Sequence, residues 1–282
     1  ILSRLVGSEM CIRDRISFEG NDEFDDEEMI ESSSLKLYHV LQPDKVKEAE
    51  RKIVRKYEEK GYFIALARHE IIPLKNRPNE VEVLFKIIEN EKVKVRKVFF
   101  TGNREYSSGD LKKVMATGEG HMFSWATGSG TYIEDFFNRD LSLLAYYYGN
   151  EGYIQAKIAK PRVTLSQDKR YIDILIPVSE GNQFKMRSIR FEGDVDEFSE
   201  EELVESFPIK SGEIFSSGKL QEGLVSLSDK YGDKGYAFAN IIPNPQIDGE
   251  NKEVDLLINI EKGQKVYWGR VSISGNTKTH DK

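Results

Sequence analysis

Cysteine is nearly absent: Cys11 is the only one in 282 residues, so no disulfide can form within the chain and the redox compartment cannot be read. Thiolate metal centres are excluded with it. The four histidines, His39, His69, His121 and His280, are scattered through different elements and show no His-x-x-x-His spacing. Basic residues are also in deficit, 41 Lys and Arg against 48 Asp and Glu, for a net charge of −7. That balance opposes nucleic-acid binding, which calls for a basic field, and gives no support for docking on anionic lipid. No run approaches the roughly 20 apolar residues that a membrane helix needs. There is no Gly-x-Ser-x-Gly elbow, and the Gly-Ser-Gly at Gly128 lacks the Lys and Ser or Thr of a phosphate loop. Carboxylates are plentiful, but they fall on helix starts and outward strand positions, where solvated faces are the default. The chain is therefore expected to be no enzyme and to hold no cofactor or metal.

What is present suits several small modules: 39% hydrophobic residues with 32% charged favour much solvated surface over one large core. The leader "ILSRLVGSEMCIRDR" carries charges that interrupt any apolar core, so it is not a signal peptide. It resembles translated sequencing-adapter read-through, with a natural surface tail as the alternative. Residues 1–15 are set apart as a non-native or disordered leader.

A repeat organises the remainder. Four strand-like runs end in Gly followed by Asn or Asp: "ISFEGN" at Gly20, "VFFTGN" at Gly102, "IRFEGD" at Gly193 and "VSISGN" at Gly275. The first three each lead into helical signals, a Tyr-x-x-x-Gly-Tyr element and two further strands. The expected fold is α+β, with tandem strand-helix-helix-strand-strand modules. Each module forms a three-stranded mixed sheet with both helices on one face. The boundaries are 16–92, 93–183 with a long helix–helix loop, 184–264, and 265–282 as the start of a truncated fourth copy.

The Tyr-x-x-x-Gly-Tyr element looks like a ligand rim in "YYYGNEGYIQAKI", yet three copies suggest a joint. Counting back from each Gly-Tyr, apolar residues fall at Val46, Ile53 and Tyr57, at Phe137, Leu144 and Tyr148, and at Leu220, Leu227 and Tyr231. Steps of seven and four place each set on one helix face. Gly61, Gly152 and Gly235 fit the left-handed position that ends a helix, and Tyr62, Tyr153 and Tyr236 open the next strand. "SEEE" at Ser199 reads as a capping box, and "DDEE" at Asp25 as an acidic helix start rather than a calcium loop.

Strand two is expected at "FIALARHEI", "IQAKIAKPRV" and "AFANIIPNP". Its inward positions would be Phe63, Ala65 and Ala67, then Ile154, Ala156 and Ile158, then Ala237, Ala239 and Ile241. Pro73, Pro161, Pro243 and Pro245 at or beyond its far end mark an edge strand. The more apolar third strand is placed centrally, with Pro177 late enough to escape pairing. Trp125, on the extra "SWATGSG" loop, is read as a core anchor, with an exposed contact as the alternative. Such an edge can accept an extended segment through main-chain hydrogen bonds.

Modules of this order, with F-x-G-N closing strand one and Y-x-x-x-G-Y before strand two, resemble POTRA domains over residues 16–282. The segment "WATGSGTYIEDFFNRDLSLLAYYYGNEGYIQAKI" is similar to the long-loop repeat of outer-membrane protein assembly factors, commonly their third. The three repeats then correspond to the second through fourth domains, and "VYWGRVSISGNTKTHDK" opens the fifth. The resemblance implies an arm at the periplasmic face of the outer membrane of a Gram-negative-type bacterium. Such an arm takes unfolded outer-membrane proteins from periplasmic chaperones and recruits assembly-complex lipoproteins. It then passes substrate to a C-terminal β-barrel outside this fragment. The family's edge-strand binding carries over to Ile154, Gln155, Ala156, Lys157 and Ile158. Alternatives are the arm of a related translocation protein and a structural periplasmic spacer whose edges are all covered. An RNA-binding array would need basic, aromatic strands.

Overall fold

The computed structural model describes residues 12–75, 77, 80–120, 130–267 and 269. Elements follow in the order β1 (Ile12–Glu19), α1 (Asp26–Ser33), β2 (His39–Val40), α2 (Pro43–Glu59), β3 (Leu66–Pro73) and β4 (Glu80–Ile88). The second set is β5 (Lys94–Thr101), α3 (Ser108–Val114), α4 (Glu134–Asn150), β6 (Lys157–Ile158), β7 (Arg162–Leu165) and β8 (Tyr171–Ser179). The third is β9 (Lys185–Gly193), α5 (Glu200–Glu205), α6 (Ser217–Asp233), β10 (Asn240–Asp248) and β11 (Glu253–Glu261). The chain divides into two compact units, Ile1–Leu144 with Ile158–Val178, and Ala145–Lys157 with Ser179–Lys282. Trp125 and Gly275 lie outside the described residues.

The third strand of each set is central, as its apolar run predicts. β4 runs parallel to β1 and antiparallel to β3, and β11 likewise lies between β9 and β10. β8 is parallel to β5 and carries the split second strand on its other side. One face of each central strand is closed by helices: Ile172, Ile174, Ile176 and Val178 alternate as buried residues along β8. Val46, Ile53, Phe137, Leu144 and Leu227 are buried from the helix side, while Leu220 is only partly covered. The acidic helix starts are capping boxes at both α1 (Asp25 with Glu28) and α5 (Ser199 with Glu202). Each satisfies two of the backbone donors that a helix leaves open.

Several expectations are corrected. Strand β1 begins at Ile12, four residues earlier than Ile16. Ile12, Arg13 and Arg15 are in register with Glu80, Val81 and Glu82, so residues 12–15 belong to the first sheet rather than to a separate leader. β2 adds a fourth, two-residue strand against Ile12 and Arg13. The second strands start later than expected, at Leu66, Lys157 and Asn240, because a tight turn follows each Gly-Tyr. Its closing bonds run from Ala65 N–H to the Tyr62 carbonyl, from Ala156 to Tyr153 and from Ala239 to Tyr236. Pro243 and Pro245 sit inside β10, and Pro161 splits β6 from β7. Pro177 lies within β8, opposite Thr101, and its carbonyl accepts the Ala159 N–H at 2.9 Å. It is tolerated there because the acceptor half of the residue is intact.

Each first strand skips one residue in its pairing, at positions 14, 96 and 187. Such a bulge bends the strand and re-aims the extra side chain. Arg96 and Arg187 use it to grip the central strand's acid in forked ion pairs. The Nε atoms lie 2.9 Å from Asp173 Oδ1 and 3.0 Å from Asp255 Oδ1. Asp255 also accepts from Ser188 Oγ at 2.5 Å. Bonding to Arg187 and then to Ser188 holds its carboxyl down at about 2. A depressed folded pKa stabilises fully above the ordinary carboxylate range and is lost as pH falls toward that value. Asp255→Asn should therefore lower stability at neutral pH and flatten its decline between about pH 4 and pH 2, as read by urea unfolding across that range.

Candidate functional site

The Tyr-x-x-x-Gly-Tyr element builds the same structure three times. Helix α2 ends with Gly61 at φ 94°, and the N–H of Tyr62 returns to the carbonyl of Tyr57 at 3.0 Å. Gly152 (φ 85°) and Gly235 (φ 93°) repeat this after α4 and α6, with Tyr153 bonding back to Tyr148 at 2.9 Å and Tyr236 to Tyr231 at 3.0 Å. This is the Schellman helix end, whose apolar contact joins the third-from-last helical residue to the second residue beyond the cap. Here that contact is a tyrosine pair. Ring centroids lie 5.8, 6.0 and 6.3 Å apart, edge-on in the first two modules. Tyr57, Tyr148 and Tyr231 are fully buried. Tyr57 and Tyr148 donate to Glu89 and Glu180, at 2.8 and 2.9 Å. At the matching place in the third module stands Lys262, and Tyr231 donates instead to the Asp194 carbonyl at 2.7 Å. Burial pushes the Tyr231 hydroxyl up to about 12. Tyr57, Tyr148 and Tyr231 thus lie inside the cores with their hydroxyls bonded within the protein.

The same glycines hold the chain as it enters the next module. The carbonyls of Gly61, Gly152 and Gly235 accept the N–H groups of Val93, Phe184 and Val266, at 3.2, 2.9 and 2.8 Å. The segment before the next module's long helix lies against the glycine: Thr131 over Gly61 and Ile214 over Gly152. That segment also bridges the outer edge of strand one, Thr131 to Lys94 and Ile214 to Lys185. β2 does this for β1. The other recurring glycines, Gly20, Gly102 and Gly193, have φ of 81°, 83° and 90°, and a Cβ there would run into the carbonyl of Ile87, Val178 or Ile260.

Of the predicted edge-strand residues, only Lys157 and Ile158 are in a strand. Ile154, Gln155 and Ala156 form the turn after the tyrosine, and Ile154 packs against the core that includes Phe184 and Phe215. Phe63, its counterpart, meets Tyr132 edge-on at 4.9 Å. These positions belong to the joint, so Ile154 does not point into its own module's sheet. Lys157 shares its bonding direction with Ala159, whose N–H faces β8.

The second-strand edges differ in a way that the sequence does not announce. Donors alternate along an antiparallel strand between its partner and the open side. In β7, flanked by the Ser166 N–H bond to Tyr171, the outward donors are Val163 and Leu165; Ile158 is the outward donor of β6. In β10 two of the outward places are Pro243 and Pro245, which have no donor. In β3 one outward place is Pro73, and the N–H of His69 is capped by Glu50 Oε1 at 2.7 Å. Glu50 is one of many acids on its helix, and nothing in its spacing distinguishes it. Asp140 was equally hidden: wholly buried, it accepts from the Ala116 and Thr117 N–H groups at 2.7 and 2.8 Å and anchors the start of the long loop.

Compact strand-helix-helix-strand-strand modules joined through helix caps define a tandem array. Residues 13–90, 93–181 and 184–263 match POTRA, described as a surface antigen variable number repeat, and the chain belongs to that family. It is 30% identical over 272 residues to the outer membrane protein assembly factor BamA of Nitratidesulfovibrio vulgaris, covering 95% of this chain and 34% of that one. To BamA of Neisseria meningitidis it is 31% identical over 203 residues, covering 72% and 26%. It therefore spans only about a third or less of the length of these curated relatives. The crystal structure of Haemophilus influenzae BamA POTRA3-5 shares the fold, with TM-score 0.53 and 19% identity over 90% of this chain and 98% of that one. Among the described residues, no helix is long and apolar enough to cross a membrane.

The joints predict a ranking. A Cβ on Gly152 would lie 2.8 Å from Ile214 Cγ2 and 2.9 Å from the Phe184 carbonyl, whereas at Gly235 nothing among the described residues lies closer than 3.8 Å. Gly235→Ala should cost about 1–2 kcal/mol, for the left-handed backbone alone. Gly152→Ala should cost clearly more. Urea unfolding of the two variants checks the order.

Proposed function

We propose that the chain is a periplasmic arm of an outer-membrane β-barrel assembly protein, and that its second module captures unfolded outer-membrane proteins by strand addition. The observation that carries this reading is the edge of β6 and β7, where the outward donors of Ile158, Val163 and Leu165 carry no cap among the described residues, against edges in the other modules that carry proline or a carboxylate cap. The similarity to BamA proteins supports the wider role. In that role the arm takes extended clients from periplasmic chaperones, meets assembly-complex lipoproteins, and hands clients to a barrel in the outer membrane. Lys157, Lys160 and Arg162 flank the edge, and charged residues there discourage permanent sheet-to-sheet association. Binding is therefore weak and reversible, as a handover requires.

Backbone groups make the bonds, so the side chains along the edge matter little. Titrating the full chain with a peptide of alternating valine and threonine should shift amide resonances at residues 158–165. Val163→Pro removes an outward donor while leaving the inward ladder intact, and should abolish those shifts. Gln155→Ala should leave them unchanged. A folded Val163→Pro chain that still gives the full response would reject capture at this edge and favour a structural spacer.

A further inference from the structure

The long helix α4 is apolar on both sides. Phe137, Leu144 and Tyr148 bury its inner face. On its outer face Phe136, Leu143 and Tyr146 stay exposed, at 49%, 45% and 51%. Together with Arg139 they follow one another at steps of three, four and three residues, which sets them in one row along a helix. Counting back from the buried tyrosine near each helix end gives the equivalent row in the other modules. On α2 it reads Lys45, Glu48, Lys52 and Arg55, and on α6 it reads Lys219, Glu222, Ser226 and Asp229. Lys52 and Glu48 form a surface ion pair at 3.0 Å. The outer face is thus polar in two modules, and α4 departs from that pattern at three of the four positions. Apolar side chains exposed in a contiguous row, rather than singly, mark a contact surface.

The charge within the row decides what covers it. Arg139 lies over the Phe136 ring at 5.6 Å and has no ion-pair partner among the described residues. An apolar surface closing over this row would strip water from the guanidinium, which is costly unless the partner brings a carboxylate. A second copy of α4 cannot bring one, because the row holds no acid. An anionic lipid surface is opposed by Glu134 and Asp135, in the first turn of the same helix. Side chains spaced alternately three and four residues apart are the seam that one helix presents to another.

We propose that the outer face of α4 is a docking surface for an amphipathic helix of another protein, one that sets an aspartate or glutamate against Arg139. Apolar residues on either side of that acid pack on Phe136 and Leu143, and the seam continues toward Tyr146. Recognition here runs through side chains, so it discriminates among partners, whereas a strand edge reads main chain with little regard to sequence. The surface is separate from the β7 edge and stands or falls independently of capture there.

The test uses the full chain and three helical peptides with leucine at the heptad a and d positions, except for one central position that is glutamate, glutamine or lysine. The glutamate peptide should shift the amides of Phe136, Arg139 and Leu143. It should bind several-fold tighter than the glutamine peptide, the scale of a partly shielded ion pair, and the lysine peptide should bind weakest. Arg139→Glu should reverse that order. Leu143→Gln changes an exposed position, so the chain should melt as the wild type does while losing most of its affinity for all three peptides. Equal binding of the three peptides, or shifts that bypass α4, would overturn the proposal. A Leu143→Gln chain that binds as well as the wild type would overturn it too. Sedimentation of the wild type as a dimer that Leu143→Gln dissociates would assign the face to a second copy instead. Uptake by phosphatidylglycerol vesicles that Leu143→Gln abolishes would assign it to a lipid surface, and either result rejects the helix partner.

Discussion

The arrangement depends on one backbone device: a left-handed glycine that ends a helix and offers its carbonyl to the next module. At Gly61, Gly152 and Gly235 the N–H groups of the last turn are turned back on the helix while the glycine carbonyl is left facing outward. A β-carbon would oppose that conformation and, at the first two positions, collide with the residue lying over it. The tyrosine pair braces the turn from below, its rings meeting edge-on in the first two modules. Helix packing in one module thus sets where the chain enters the next.

The sheets show how small modules manage exposed edges. The outer edge of each first strand is bridged by the segment leading into the long helix. The second-strand edges are treated individually: by proline in β10, by Glu50 and Pro73 in β3, and by neither in β7. An unpaired edge is an aggregation hazard and a binding resource for the same reason, namely free main-chain donors. Capping some outward donors while others carry no cap among the described residues gives modules of one fold distinct surfaces.

The bulge arginines serve the other end of the sheet. By leaving the ladder at residues 96 and 187, the first strand turns a basic side chain toward Asp173 and Asp255 on the central strand. This pins the parallel pair where a one-residue slip would exchange its two faces.

Repetition made much of this legible in the sequence. The helix faces at Val46, Ile53 and Tyr57, the left-handed glycines, the capping box at Ser199 and the central place of the third strand all follow from local chemistry and periodicity. What failed depended on partners distant in sequence. The start of β1 at Ile12 is decided by pairing with residues about 68 positions away, against the unpromising look of its own residues. Ile154, apolar and at strand-like spacing, was drawn into the joint by a core that forms only when Phe184 and Phe215 arrive. Which edge is open was hidden as well, because a cap such as Glu50 on the His69 N–H exists only once helix and strand lie side by side. Local rules determine which elements form, and the tertiary structure alone decides which backbone donors remain free.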